Sequence, residues 1–148
     1  MQMRVIKASL ERPQQGFTLL EIMVVVVIIG LLAAAVVPQF MKQVDTAQIN
    51  RAKADIRNID NALQLYRLDN FRYPSTEDGL EALVRSPGPD AAPNWKQILK
   101  STPLDPWKNP YQYRYPGQRG EFDVFTLGAD RQEDGEGVNA DISNADLD

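Results

Sequence analysis

The chemistry open to this chain is the chemistry of oxygen. None of its 148 residues is cysteine or histidine. Thiol nucleophiles, disulfides, the commonest general base and the commonest metal ligand are therefore missing. Carboxylates remain, and they stand out in two places. Residues 128–148 hold Asp130, Glu133, Asp134, Glu136, Asp141, Asp146 and Asp148 against Arg131, with glycine at 128, 135 and 137. At the other end, Glu21 is the single ionisable side chain between Phe17 and Met41.

The acidic stretch admits three readings. A run of like charge with glycine can be a solvated, flexible tail. Paired carboxylates such as Asp130 and Asp141 could do acid–base work in a membrane-tethered enzyme. The third is a loop folded around a hard cation, since calcium takes about six to eight oxygens from carboxylates and carbonyls. With no His or Cys and with glycine-rich spacing, metal binding is the simpler account, and a non-enzymatic chain is expected. Asp130, Asp134, Gly135 and Asp141 coincide with four positions of an EF-hand loop. That match is discounted, because Gln132 and Asp141 are wrong for their positions and a strand rather than a helix precedes them.

Glu21 sits at the start of a very different segment. Ile22 to Val37 contain no polar side chain. As a helix, residues 17–41 would be about 37 Å long, enough to cross a bilayer core of ~30 Å. A carboxylate buried in hydrocarbon is costly, so Glu21 is either tolerated near the interface or needs a cation. Before the segment come Arg4, Lys7 and Arg12 against Glu11, which favours a cytoplasmic N-terminus. A secretory signal has the same order, with Ala33–Ala35 as a possible cleavage site. The length of the apolar core and the Gly16–Phe17 junction argue against it. The net charge of −4 excludes nucleic-acid binding on charge.

Pro38 breaks the helical pattern by removing one hydrogen bond, which predicts a kink. Beyond it, Ile49, Ala52, Ile56, Ile59, Leu63 and Tyr66 recur at steps of three and four, one apolar helix face. One long interrupted helix is expected from residue 17 to about 68. Ser75 and Asp78 form a weak capping box before Leu80, Leu83 and Val84, which predicts a short helix over about 76–85. Ser86-Pro87-Gly88-Pro89 opens a loop, a brief apolar patch follows at Trp95, Ile98 and Leu99, and Pro103–Trp107 reads as a rigid turn. Tyr111, Tyr113 and Tyr115 alternate with polar residues, and Phe122–Leu127 gives the return strand of a hairpin after Pro116-Gly117. One more short strand is expected. The tyrosine row could be a ligand platform, but packing on the helix is the favoured reading.

Gly16-Phe17-Thr18-Leu19-Leu20-Glu21 resembles the processing site of type IV pilins and type II secretion pseudopilins. The resemblance implies that a prepilin peptidase cuts between Gly16 and Phe17 and methylates the Phe17 amino group. Glu21 becomes the fifth mature residue, and the apolar segment stays on the protein. Glu21 then could pair with the Phe17 amino terminus of a neighbouring subunit, where an unpaired charge would be penalised. Pro38 falls where the superfamily often has proline, which implies local unwinding in the filament. Leu68-Asp69-Asn70 with Tyr73-Pro74, Gly79–Val84, Pro103–Trp107, Asn109–Tyr113 and Phe122–Asp130 resemble the major pseudopilin of type II secretion in particular. Type IVa pilins usually close their C-terminal region with a disulfide, which this chain cannot form; a type IV pilin or a minor pseudopilin remains the alternative.

The resemblance implies a pilin-like α+β fold, a long N-terminal helix packed on a small antiparallel sheet with a C-terminal calcium loop. Its parts would be a leader at 1–16, an apolar transmembrane and filament-core helix at 17–41, and a periplasmic head at 42–148. Calcium would be held by the Leu127 carbonyl, Asp130 and Asp141, with Val138 adding a carbonyl. Relatives often carry a second acid before the last of these, where this chain has Ala140. They commonly continue as Ile-Gly-Asn-Trp, where it has Ile142-Ser143-Asn144-Ala145. The implied partners are further copies of the chain, minor pseudopilins, an inner-membrane assembly platform driven by a cytoplasmic ATPase, and the prepilin peptidase. The subunit would cross the inner membrane once and enter a periplasmic pseudopilus that moves folded proteins through an outer-membrane pore.

Overall fold

The structure is a computed structural model that describes residues 16–147. The basic leader therefore lies outside the described residues, apart from Gly16. The chain forms two compact units, Met1–Gln39 and Phe40–Asp148. One helix, α1 (Leu19–Asn70), supplies secondary structure to both. Pro38 lies inside it, and the helix continues through that residue.

In the first unit, α1 is apolar on every side and its side chains are exposed. It is long and apolar enough to cross a membrane. A helix that is hydrophobic all round has no face to turn toward water, so its partner must be lipid or other apolar helices.

In the second unit α1 is amphipathic. Ala52, Ile56, Ile59, Ala62, Leu63 and Tyr66 are buried along one face, and Ile49 packs at its margin. The sequence stripe is thus the core face of the head, with Ala62 added to it. Across from it lie β1 (Gln112–Arg114), β2 (Asp123–Thr126) and β3 (Ile142–Ser143). They form one antiparallel sheet in the order β1-β2-β3, with Tyr113 opposite Val124 and Thr126 opposite Ile142. Val124, Ile142, Phe122 and Tyr111 close the core against the helix together with Leu80, Ala82 and Leu83.

The hairpin and the extra strand appear as expected, each shorter than its apolar run. The helix expected over 76–85 does not form. In its place is a five-residue 3-10 turn, Gly79–Leu83. Gly79 has φ +57°, a left-handed conformation that cannot continue an α-helix. The Ser75 side chain still does what its position suggests, accepting from the Asp78 N–H at 3.1 Å. Tyr111 and Tyr113 serve packing: the Tyr111 hydroxyl donates to Asp55 at 3.3 Å and the Tyr113 hydroxyl to the Pro74 carbonyl at 2.8 Å. Burial drives both phenolic pKa values up, and for Tyr111 the nearby Asp55 adds to the rise.

Candidate functional site

Gly16, Phe17 and Thr18 precede the helix and are exposed. Thr18 ends that non-helical stretch for a physical reason. Its hydroxyl oxygen accepts from the Glu21 N–H at 3.2 Å, and its carbonyl accepts the first helical bond from the Ile22 N–H at 3.3 Å. Those are the two bonds of an N-cap residue. Thr-x-x-Glu is also the sequence form of a capping box, a helix-start signal that overlaps the processing pattern. The junction between Gly16 and Phe17 is therefore left out of the helix, and Glu21 stands in its first turn, where a carboxylate suits the helix dipole.

At the other end, residues 128–141 are a folded loop and not a loose tail. Gly128, Arg131, Asp134, Gly135 and Gly137 all have positive φ, so the chain reverses repeatedly within a few residues. The Ala129 N–H donates to the Val138 carbonyl at 2.9 Å, closing the loop on itself. A Cβ on Gly128 would lie 2.7 Å from that same carbonyl, so only glycine fits there. Asp130 Oδ1 accepts from the Gln132 N–H and Asp141 Oδ2 from the Asp134 N–H, each at 3.1 Å. After Asp141 the chain enters β3, not a helix, which bears out the rejection of an EF-hand.

Among the described residues, no three acidic side chains converge on one point. None of Asp130, Glu133, Asp134, Glu136 and Asp141 ion-pairs with a lysine or arginine among them. The donors within the loop are hard oxygens, two carboxylates each with an oxygen to spare and the backbone carbonyls around Gly128. Oxygen donors of this kind suit a hard cation and not a soft one.

Three side-chain ties around the loop give no signal in the sequence. The buried carboxylate of Asp105 accepts from the Trp107 and Asn109 N–H groups at 3.0 and 2.8 Å and from the Thr126 hydroxyl at 2.6 Å. It thereby pins the 103–110 turn to the end of β2, where the loop begins. Past the loop, the Asn144 side chain accepts from the Val124 N–H at 3.0 Å and donates to the Phe122 carbonyl at 3.2 Å. An arginine–carboxylate fork, Arg119 to Asp146 at 2.8 and 2.9 Å, holds the segment that follows. The fork also lowers the Asp146 pKa.

Residues 39–145 match the family model for type II secretion system (T2SS), protein G, and residues 12–37 match the prokaryotic N-terminal methylation motif. Type II secretion system core protein G of Pseudomonas aeruginosa is 56% identical over 138 residues, covering 91% of this chain and 97% of that protein. The protein of the same name from Vibrio cholerae is 53% identical over 135 residues, covering 90% and 92%. The crystal structure of the major pseudopilin from the type 2 secretion system of enterohaemorrhagic Escherichia coli is similar with a TM-score of 0.63 at 37% identity. That match covers 76% of this chain and 98% of the other.

Proposed function

The chain belongs to the protein G family of the type II secretion system and is a structural subunit of the pseudopilus; on that premise we propose how its two ends serve assembly. The chain is made as a precursor and cut between Gly16 and Phe17 by a prepilin peptidase, which then methylates Phe17. The observation that carries this reading is the methylation-motif match over residues 12–37, together with a Gly16–Phe17 junction that stands free of the helix.

Before assembly the subunit crosses the inner membrane once, its N-terminus cytoplasmic. It leaves for the periplasmic filament through an assembly platform, alongside minor pseudopilins and other copies of itself. Glu21 pairs with the amino terminus of a neighbour and fixes the axial register of the apolar helices, because misregistered packing would leave a charge without a partner in low dielectric. Pro38 allows α1 to give locally as the helices pack.

In the head, the carbonyls of Leu127 and Val138 with the carboxylates of Asp130 and Asp141 hold a calcium ion. The ion supplies no catalysis. It neutralises the loop and clamps the C-terminal segment, the task a disulfide performs in other folds. The chain acts as a building element, not an enzyme.

The processing half of this proposal is tested by the intact mass of the protein recovered from cells. Loss of residues 1–16 with the gain of one methyl group is expected. A full-length, unmethylated chain in membranes that contain the peptidase rejects it.

A further inference from the structure

The head has two exposed apolar sites, and they lie at opposite ends. Beyond Val44, the exposed large apolar side chains among the described residues are Leu65, Leu68, Phe71, Leu104 and Tyr115. Leu65, Leu68 and Phe71 are spaced by three and form one row at the end of α1. Phe71 is the extreme case. It is 86% exposed and has φ +60°, and its N–H donates to the Arg67 carbonyl at 2.7 Å. This is the left-handed cap of a helix end, a position that favours glycine. A bulky aromatic there is strained and gains no packing within its own chain.

Leu104 is 52% exposed and pairs with Pro110, next to Tyr111, whose hydroxyl reaches Asp55. Asp55 and Asn70 are separated by about 22 Å along a helix axis. β2, four residues and about 13 Å long, runs between the same two regions. It starts where Phe122 packs on Tyr73, with ring centroids 4.8 Å apart, and ends where Thr126 meets Asp105. Phe71 and Leu104 therefore mark the two ends of the head.

Each end carries charge that no ion pair among the described residues uses. Beside Phe71, the Arg72 guanidinium bonds the backbone carbonyls of Ala91 and Asp90 at 2.8 and 2.7 Å. It has no carboxylate partner among the described residues. At the Leu104 end lies the acidic loop, tied there by the Asn109 side chain donating to the Gly128 carbonyl at 3.4 Å. Its Glu133, Asp134 and Glu136 are left unpaired even if Asp130 and Asp141 hold calcium.

We propose that the Phe71 end of one head seats on the Leu104 end of the next copy, with Arg72 facing that copy's acidic loop. The two surfaces differ, so the contact is heterologous and propagates as an open chain of subunits. The strain held at Phe71 is then a cost accepted in the monomer for a contact made only in the polymer. Calcium, by shaping the acidic loop, would shape the receiving surface too.

The natural absence of cysteine makes the test clean. The full chain carrying both Phe71→Cys and Leu104→Cys is expressed with the complete secretion apparatus and mildly oxidised after filaments form. A ladder of covalent trimers and larger species is expected from the double variant, and none from either single variant. Filaments of the double variant that run only as monomers overturn the contact. Phe71→Gly gives a second, independent reading, because glycine is at ease at this φ. Its melting temperature should hold or rise, while its filament mass falls roughly tenfold, the effect of removing an aromatic anchor. Undiminished filament mass, or a lowered melting temperature that would give the ring a role within its own chain, overturns the proposal. The parent chain imaged alongside reports on polymerisation itself, apart from this contact.

Discussion

The Thr126 hydroxyl donates to the Asp105 carboxylate at 2.6 Å, joining β2 to a turn twenty-one residues earlier in the chain. Both residues are buried, at 1% and 4% exposure. The carboxylate is satisfied by three donors, so removing it strands all three, whereas removing the hydroxyl strands only part of the acceptor. Asp105→Ala should cost about 3 kcal/mol and Thr126→Val about half as much, from the expense of leaving buried polar groups unpaired. Urea denaturation of the full chain in detergent, followed by the fluorescence of Trp95 and Trp107, measures both. Equal costs for the two variants would show that the node does not work through the carboxylate.

The acidic loop should make the head's stability depend on calcium. Ligand that binds only the folded state raises the melting temperature by mass action. Calcium-loaded protein should melt higher than protein treated with EDTA, and Asp141→Asn should shrink that difference. Melting curves that coincide with and without chelator remove the metal from the account of the fold.

Gly128→Ala tests the loop closure by steric means alone. At φ +66° its methyl would meet Asn139 carbon and Val138 oxygen at 2.6 and 2.7 Å, both backbone atoms that cannot swing aside. A loss of about 2–4 kcal/mol is expected, in line with the larger point-mutant effects. Gly120→Ala is the control, since its nearest neighbour would be 3.6 Å away.

Alkaline pH should loosen the head through its buried phenols. Burial raises the folded pKa of Tyr111 and Tyr113 above the ordinary value of 10.0. In this range the folded state holds protons that the unfolded chain has released. Stability is then complete below the ordinary tyrosine pKa and falls as pH rises beyond it. Tyr111→Phe should flatten that decline. A melting temperature that falls equally in parent and variant between neutral and strongly alkaline pH would exclude Tyr111 as a contributor.

Glu21→Ala should leave the subunit in the membrane yet prevent filament growth. The change removes the acid that is proposed to select one register between apolar helices. Filament mass seen by electron microscopy, set against subunit abundance in the membrane, separates assembly from expression. Normal filaments from this variant would dissolve the register argument.

The elements that were legible in the sequence are those with a repeat. The stripe from Ile49 to Tyr66 announced a helix face because burial recurs every third or fourth residue, and the alternating tyrosines announced a strand in the same way. The glutamate of the apolar segment was conspicuous because charge there has no bland explanation. Single-residue devices were not legible. Gly79 replaced an expected helix with a tighter turn, since one left-handed residue overrides several favourable ones. Asp105 gives no signal within its turn, because its partner Thr126 lies twenty-one residues away in the chain. Phe71 carries no signal in the sequence; only its backbone conformation and exposure set it apart. The acidic stretch gave charge and glycine, and both suit a loose tail as well as a folded loop. The choice depended on φ angles that composition does not encode.

Asn144 carries one last implication. β3 pairs with β2 for only two residues, Ser143 with Phe125 and Ile142 with Thr126. The next backbone groups of β2 are met by a side-chain amide. The chain can then turn away without leaving an open ladder behind it. A protein whose copies associate must avoid the indiscriminate zippering that bare strand edges invite. By ending its sheet with a side chain, this subunit denies its siblings that shortcut and leaves orderly stacking as the route to a fibre.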